Sequence, residues 1–158
     1  MKLNVVFYHP SIIENVGNIA RTCLAFNAKL HLIRPYGFIF NKSRLNRSST
    51  NHFDQIDFFE YDNWSEFEEK NYGEFFLFTK KGNNSPNEIN YLNYSDKNIY
   101  LVFGNEHYGI HEEIMNKYQN NLIRIPMSED LICINVSNSV AIGCYEVSKQ
   151  FDYKSLKK

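Results

Sequence analysis

Short runs of apolar, β-prone residues recur along this chain at Leu3–Tyr8, Lys29–Ile33, Ile56–Tyr61, Glu74–Thr79, Ile99–Phe103 and Asn121–Ile125. Runs such as FFLFT (Phe75–Thr79) and YLVFG (Tyr100–Gly104) lack polar alternation, as strands covered on both faces do. Between several of them the period turns helical. At 100° per residue, Glu14–Phe26 puts Val16, Ile19, Ala20, Cys23 and Leu24 on one arc, and Glu14, Asn15, Asn18, Arg21 and Thr22 on the other. A second amphipathic helix is expected from about Asn135 to Phe151. Val136, Val140, Cys144 and Val147 form its apolar face, and Asn135 or Ser137 is its N-cap. Strands alternating with helices, without repeats or a long linker, predict an α/β fold. The expectation is a single domain over residues 1–158, with a mostly parallel sheet flanked by helices.

Charge first points away from nucleic acid. The 158 residues carry 17 Lys and Arg against 18 Asp and Glu, a balance that lacks the excess of cations a phosphate backbone attracts. The sum hides an asymmetry. Seven acids (Asp54, Asp57, Glu60, Asp62, Glu66, Glu68, Glu69) and one base, Lys70, share one stretch, leaving 16 basic and 11 acidic residues elsewhere. That stretch is expected on a solvent face away from the ligand cleft. Lys42, Arg44 and Arg47, with Lys80 and Lys81, then allow a modest electropositive face.

Other classes drop out on motif chemistry. Cys23, Cys133 and Cys144 are odd in number and far apart, which suits reduced thiols in a cytoplasmic protein rather than a disulfide framework or a zinc site. The first apolar run is broken by Asn4 and His9, so it reads as a strand and not a signal peptide. No stretch approaches the ~18 apolar residues of a membrane span, and no membrane partner is expected. His107 and His111 sit four apart, but Gly109 between them favours a turn and no third ligand is evident, so no metal is expected. There is no GxGxxG after the first strand, no Walker sequence and no GxSxG elbow.

Three segments hold the remaining signal. In Glu14–Arg21, an Arg on a helix beside a Gly turn can hold a phosphate bidentately. In Leu101–Ile110, a buried strand ends in Gly104 and a tight loop, at the strand end where α/β folds bind ligands. In Ile123–Glu146, a strand leads through Pro126 to the helix start Asn135-Val-Ser-Asn138, whose backbone donors suit a polar ligand. Taken singly, each also reads as a surface Arg, a turn or a helix cap, and the plain surface Arg is the better reading of the first.

Together they resemble the SPOUT superfamily of S-adenosylmethionine-dependent RNA methyltransferases. The resemblance is to its minimal branch, which methylates the ribose 2′-oxygen of the tRNA wobble nucleotide. The family's forms N-x-G-N-I-x-R, F-G-x-E-x-x-G and I-P-M followed by S-x-N-x-S-N appear in order. Here they read Asn15–Arg21, Phe103–Gly109, and Ile125–Met127 with Cys133–Asn138. The likeness spans nearly the whole chain and implies a C-terminal deep trefoil knot, a homodimer and the tRNA anticodon loop as substrate. Carried over, S-adenosylmethionine would contact Phe78, Thr79, Gly104, Glu106, Ile125, Met127, Cys133 and Ile134. Arg21 and Asn135 would serve the chemistry, while Asn15, Arg44, Arg47, Ser137 and Asn138 would meet the RNA. Guanidinium groups do not deprotonate in proteins, so a clamp-and-relay role suits Arg21 better than that of a base. Cys133 departs from the family's Ser. Methylation of another RNA, such as rRNA, and a catalytically weakened RNA-binding protein are the alternatives.

Overall fold

The structure, a computed structural model, describes residues 2–154 and 156–157; Met1, Ser155 and Lys158 of the expected domain lie outside the described residues. Among the described residues, six strands form one sheet: β1 (Lys2–Tyr8), β2 (Lys29–Ile33), β3 (Phe58–Tyr61), β4 (Glu74–Phe78), β5 (Asn98–Phe103) and β6 (Leu122–Ile123). Five helices accompany them: α1 (Ile13–Ala25), α2 (Lys42–Ser48), α3 (Trp64–Lys70), α4 (Glu112–Lys117) and α5 (Val136–Gln150). The strand order is β3-β2-β1-β5-β4-β6 and every pairing is parallel. The fold is a single-domain α/β sandwich.

The unbroken apolar runs pack both sheet faces. On one face Val5, Phe7, Leu30, Leu101 and Phe103 meet α1 through Val16 and Ile19, α2 through Leu45, and α5 through Val140, Cys144 and Val147. On the other, Val6, Tyr8, Phe75, Tyr100 and Val102 meet Phe67 of α3 and Ile114 and Met115 of α4. Two helix layers around one sheet remove its apolar residues from water, which is the main driving force for such a fold.

Several boundaries differ from the sequence pattern. Ile56 closes a 3-10 turn over Phe53–Gln55, so β3 starts at Phe58. β6 pairs only Leu122 and Ile123 with β4, because Arg124 instead donates to the Asn84 carbonyl across the loop that follows β4. α2 was not expected. It is short and mostly polar, and it forms because Asn41 caps it and Leu45 anchors it. Gly17 is not a turn residue but sits inside α1, where a Cβ would come within 1.7 Å of Ser48 Oγ and 2.9 Å of the Leu45 carbonyl oxygen. It lets α2 lie against α1. Asn15, expected on the polar arc of α1, is buried, for reasons that belong to the site.

The chain leaves β1 towards β2 and β3 on one side, while β5, β4 and β6 lie on the other. In open parallel sheets a crevice opens at the carboxyl ends of the strands where the order reverses. Here that point lies between β1 and β5.

Candidate functional site

A cavity of about 720 Å³ opens at this reversal, between the loops that follow β4, β5 and β6. A volume of ~300–1,000 Å³ takes a small organic ligand or cofactor. Its walls combine apolar groups, among them Phe78, Phe103, Ile125, Met127 and Ile134, with Thr79, Glu106, Asn135 and the backbone of Gly104. All eight positions expected on a cofactor (Phe78, Thr79, Gly104, Glu106, Ile125, Met127, Cys133, Ile134) line it, as do Asn15 and Asn135. Arg21, Arg44, Arg47, Ser137 and Asn138 do not line it.

Each loop is shaped by local chemistry. After β4, Thr79 donates its amide to the Ile123 carbonyl at 2.8 Å and Gly82 turns back to Thr79, so the segment lies flat on β6. After β5, a Cβ at position 104 would come within 2.4 Å of the Gly109 carbonyl carbon, and only glycine permits that closure. Asn105 and Gly109 exchange two backbone hydrogen bonds at 3.1 and 2.9 Å. The Asn105 side chain accepts from the amides of His107 and Tyr108, and donates to the His9 carbonyl and to Ser11 Oγ. This buried residue welds the β5 loop to the β1 loop, and sequence reasoning passed over it. The available signal was an Asn at the head of a four-residue turn, where its side chain can satisfy the turn's amides.

A polar relay joins the three sequence segments. Glu106 accepts from the backbone amides of Ser11 at 2.8 Å and Ile12 at 3.0 Å, and from Asn15 Nδ2 at 3.1 Å. Ile12 caps α1 without a capping side chain of its own. The carboxylate supplies that cap from the β5 loop, and its charge suits a helix amino terminus. Asn15 in turn accepts from Asn135 Nδ2 at 3.0 Å, and Asn135 Oδ1 accepts from the Ser137 amide at 2.8 Å and from Ser137 Oγ at 2.5 Å. Asn15 is therefore buried because both ends of its amide are engaged. The same bonds correct an expectation at α5. Asn135 itself takes up the amides of Ser137, Asn138 and Ser139, so these are not donors awaiting a ligand.

Arg21, Lys42, Arg44 and Arg47 occupy the α1–α2 surface, whereas Lys80 and Lys81 lie in the loop after β4 and line the cavity. Arg21 is exposed and donates to Thr50 Oγ1 at 2.8 Å. Arg44 grips Glu14 through two nitrogens at 3.0 and 2.5 Å, and that hydrogen bond holds the Glu14 carboxyl below its ordinary range. Lys42 pairs with Asp54, and Lys81 with Glu112, so part of the expected positive face is neutralised. None of the seven clustered acids lines the cavity. Among the described residues no group of three or more His, Cys, Asp or Glu is placed to hold a metal ion, and no helix is long and apolar enough to cross a membrane.

Residues 2–145 match the SpoU rRNA Methylase family. The chain belongs to that family. A relative from Mycoplasma pneumoniae named tRNA (cytidine(34)-2'-O)-methyltransferase is 40% identical over 99% of this chain and 95% of its own length. Among solved structures, an RNA methyltransferase from Bacillus anthracis superposes on this SpoU-family chain with a TM-score of 0.91, at 38% identity over 99% of this chain and 98% of its own. A structure described as giving insight into 2-OH methylation of C/U34 on tRNA has a TM-score of 0.88, at 30% identity over 97% and 98% of the two chains. An AdoMet-bound rRNA methyltransferase from Sinorhizobium meliloti, at 21% identity and TM-score 0.82 over 94% of this chain and 56% of its own, shares the fold.

Proposed function

We propose that this SpoU-family protein methylates the ribose 2′-hydroxyl of the wobble nucleotide, position 34, in tRNA, with S-adenosylmethionine as donor. The observation that carries this reading is the convergence of all eight expected cofactor positions, from three separate loops, on one cavity. The residues present fit the donor: apolar Phe78, Ile125, Met127 and Ile134 suit a purine ring, and polar Thr79, Glu106 and Asn135 suit hydroxyl and amino groups. When bound, the donor supplies a methyl group activated by a sulfonium.

Held by those residues, the donor would present that methyl group to the ribose 2′-hydroxyl, its sulfur keeping the electron pair of the broken bond, and the hydroxyl proton would have to be accepted nearby. A ribose hydroxyl is a weak nucleophile at neutral pH, so orientation and proton acceptance supply the rate. Asn135, fixed by Asn15 and thereby by Glu106, orients groups at the cavity mouth. Arg21 clamps the adjoining phosphate and relays the proton through it. Arg44, Arg47, Ser137 and Asn138 hold the RNA. Homodimerisation gathers two copies of this sparse positive surface, which makes RNA affinity dimer-dependent and sharply weakened by salt. The reading includes a trefoil knot in the segment running from β4 to α5, a cytoplasmic location, and the anticodon loop as the contacted RNA.

Calorimetry with S-adenosylmethionine, then methyl transfer to total tRNA with nucleoside mapping, tests the reading. Expected are donor binding and a 2′-O-methyl group at position 34. Methylation of rRNA alone would correct the substrate, and absence of donor binding would leave an RNA-binding protein. Arg21→Ala should cut transfer by ~1,000-fold or more while donor affinity stays within about twofold. Retained transfer would remove Arg21 from the mechanism.

A further inference from the structure

Beside the relay, at the mouth of the same cavity, stands a cluster that the reaction as described does not use. Tyr108 lines the cavity, yet it is 53% exposed. One face of its ring stacks on His111, with centroids 5.3 Å apart and planes 19° apart. Its hydroxyl lies 2.7 Å from His9 Nδ1. Both imidazoles are themselves held. His111 Nδ1 is 2.8 Å from the Tyr8 hydroxyl, and the His9 ring stacks on Tyr8 with centroids 3.7 Å apart.

His9 adopts φ +52°, a left-handed conformation uncommon for a residue with a side chain. Two bonds pin that backbone: its amide donates to the Ile33 carbonyl at 2.9 Å, and its carbonyl accepts from Asn105 at 2.6 Å. Strained backbone that is fixed from both sides is found where a side chain must be aimed. Burial, with the neighbouring His111, lowers the His9 pKa, which favours the neutral ring whose Nδ1 can accept a hydrogen bond from the Tyr108 hydroxyl. The Tyr108 ring is thus supported on one face, tied at its hydroxyl and open to solvent at the rim of the cavity. An exposed aromatic ring in a fixed orientation is what unpaired RNA bases stack on, since every base has a π-face.

We infer that Tyr108, buttressed by His9 and His111, is a stacking platform for an unpaired base of the RNA substrate beside the methylated ribose. The inference rests on the proposed RNA methylation and names a substrate contact within it.

The experiment measures kcat and KM for tRNA and the Kd for S-adenosylmethionine in wild type, Tyr108→Ala and Tyr108→Trp, with thermal melts to confirm folding. A stacked base contributes enough that Tyr108→Ala should raise KM for tRNA roughly 5- to 150-fold. The donor Kd should stay within about twofold, because only substrate binding is removed. Tyr108→Trp should recover KM to within about fivefold of wild type. Anticodon stem-loop RNAs carrying one abasic site at each loop position in turn complete the test. At one position the difference between wild type and Tyr108→Ala should vanish. An unchanged KM, a loss confined to kcat, or a difference that survives at every abasic position would overturn the platform while methylation itself stands. A wild-type protein that binds no donor and methylates no RNA would overturn both.

Discussion

Two polar clusters in this molecule are built from similar groups and differ in what is left over. In the β1–β2–β3 half of the sheet, His31 and Asn4 are buried in strands, beneath an aromatic layer that includes Phe67 and Tyr100. Asn4 donates its amide to the Lys2 and Ile99 carbonyls, so its oxygen accepts from His31 Nε2–H at 3.1 Å, and Nδ1 accepts from the Tyr61 hydroxyl at 2.9 Å. Asn4 and both ring nitrogens of His31 find their partners within the fold. At the carboxyl end of β1 and β5, Glu106, Asn15 and Asn135 also bond one another, but Glu106 is half-buried, Asn135 is exposed, and all three line a cavity. Asn4, His31 and Tyr61 also border a cavity, but their hydrogen-bond donors are already engaged within the fold, so that closed cluster acts on stability. The open one keeps hydrogen-bonding capacity for a ligand, because a carboxylate or amide can accept or donate more bonds than these contacts use.

The comparison predicts opposite phenotypes, and the largest belongs to the open cluster. Glu106→Ala strands the amides of Ser11 and Ile12 and frees Asn15. Methyl transfer should fall at least ~100-fold, since an ångström of misplacement has that effect on a bimolecular site. Stability should fall by only about 1–3 kcal/mol, the typical loss for unsatisfied donors near the surface. Urea unfolding alongside kcat/KM separates the two. Transfer within tenfold of wild type would show that the relay supports the fold alone, and the distinction between the clusters would collapse.

The closed cluster should respond in stability and not in turnover. Burial, helped by Lys29 and opposed by Asp57, lowers the His31 pKa from 6.5 to about 4. Because the folded value lies below the unfolded one, the unfolded chain takes up a proton first as pH falls. The contribution is complete above pH 6.5 and is lost from there towards pH 4. Between pH 7.5 and pH 5 wild type should lose roughly 2 kcal/mol more than His31→Gln in matched urea titrations. Equal losses would mean that folding leaves the His31 pKa unshifted. At pH 7.5, transfer per folded molecule should be the same in both proteins.

The strands and the three site segments were legible because their signals are local: a run of apolar residues, a glycine after a strand, an Asn before a helix. What binds them was not. The Asn15–Glu106 and Asn15–Asn135 bonds span 91 and 120 residues of chain, and helical periodicity assigns Asn15 to the solvent side. Asn105 and the paired imidazoles of His9 and His111 were hidden for the same reason, since each acts across the gap between the β1 and β5 loops. The basic residues were visible, whereas their neutralisation by Glu14, Asp54 and Glu112 depends on how α1, α2 and α4 lie.

The smallest effect is expected at Cys133, where the related pattern has Ser. Cys133 is exposed and lines the cavity between Ile132 and Ile134, in the chain that leads from β6 to α5. It lies outside the relay, whose atoms come from Glu106, Asn15, Asn135 and Ser137. If this position meets the donor through its backbone, as the apolar neighbours Ile125 and Ile134 must, a thiol and a hydroxyl are interchangeable there. Cys133→Ser should then change kcat/KM less than ~10-fold, below the ~1.4 kcal/mol that one good hydrogen bond contributes. A larger gain would mean that the side chain donates to the ligand, a weak role for a thiol and a strong one for a hydroxyl. The open cluster would then extend one loop further than the relay now marks.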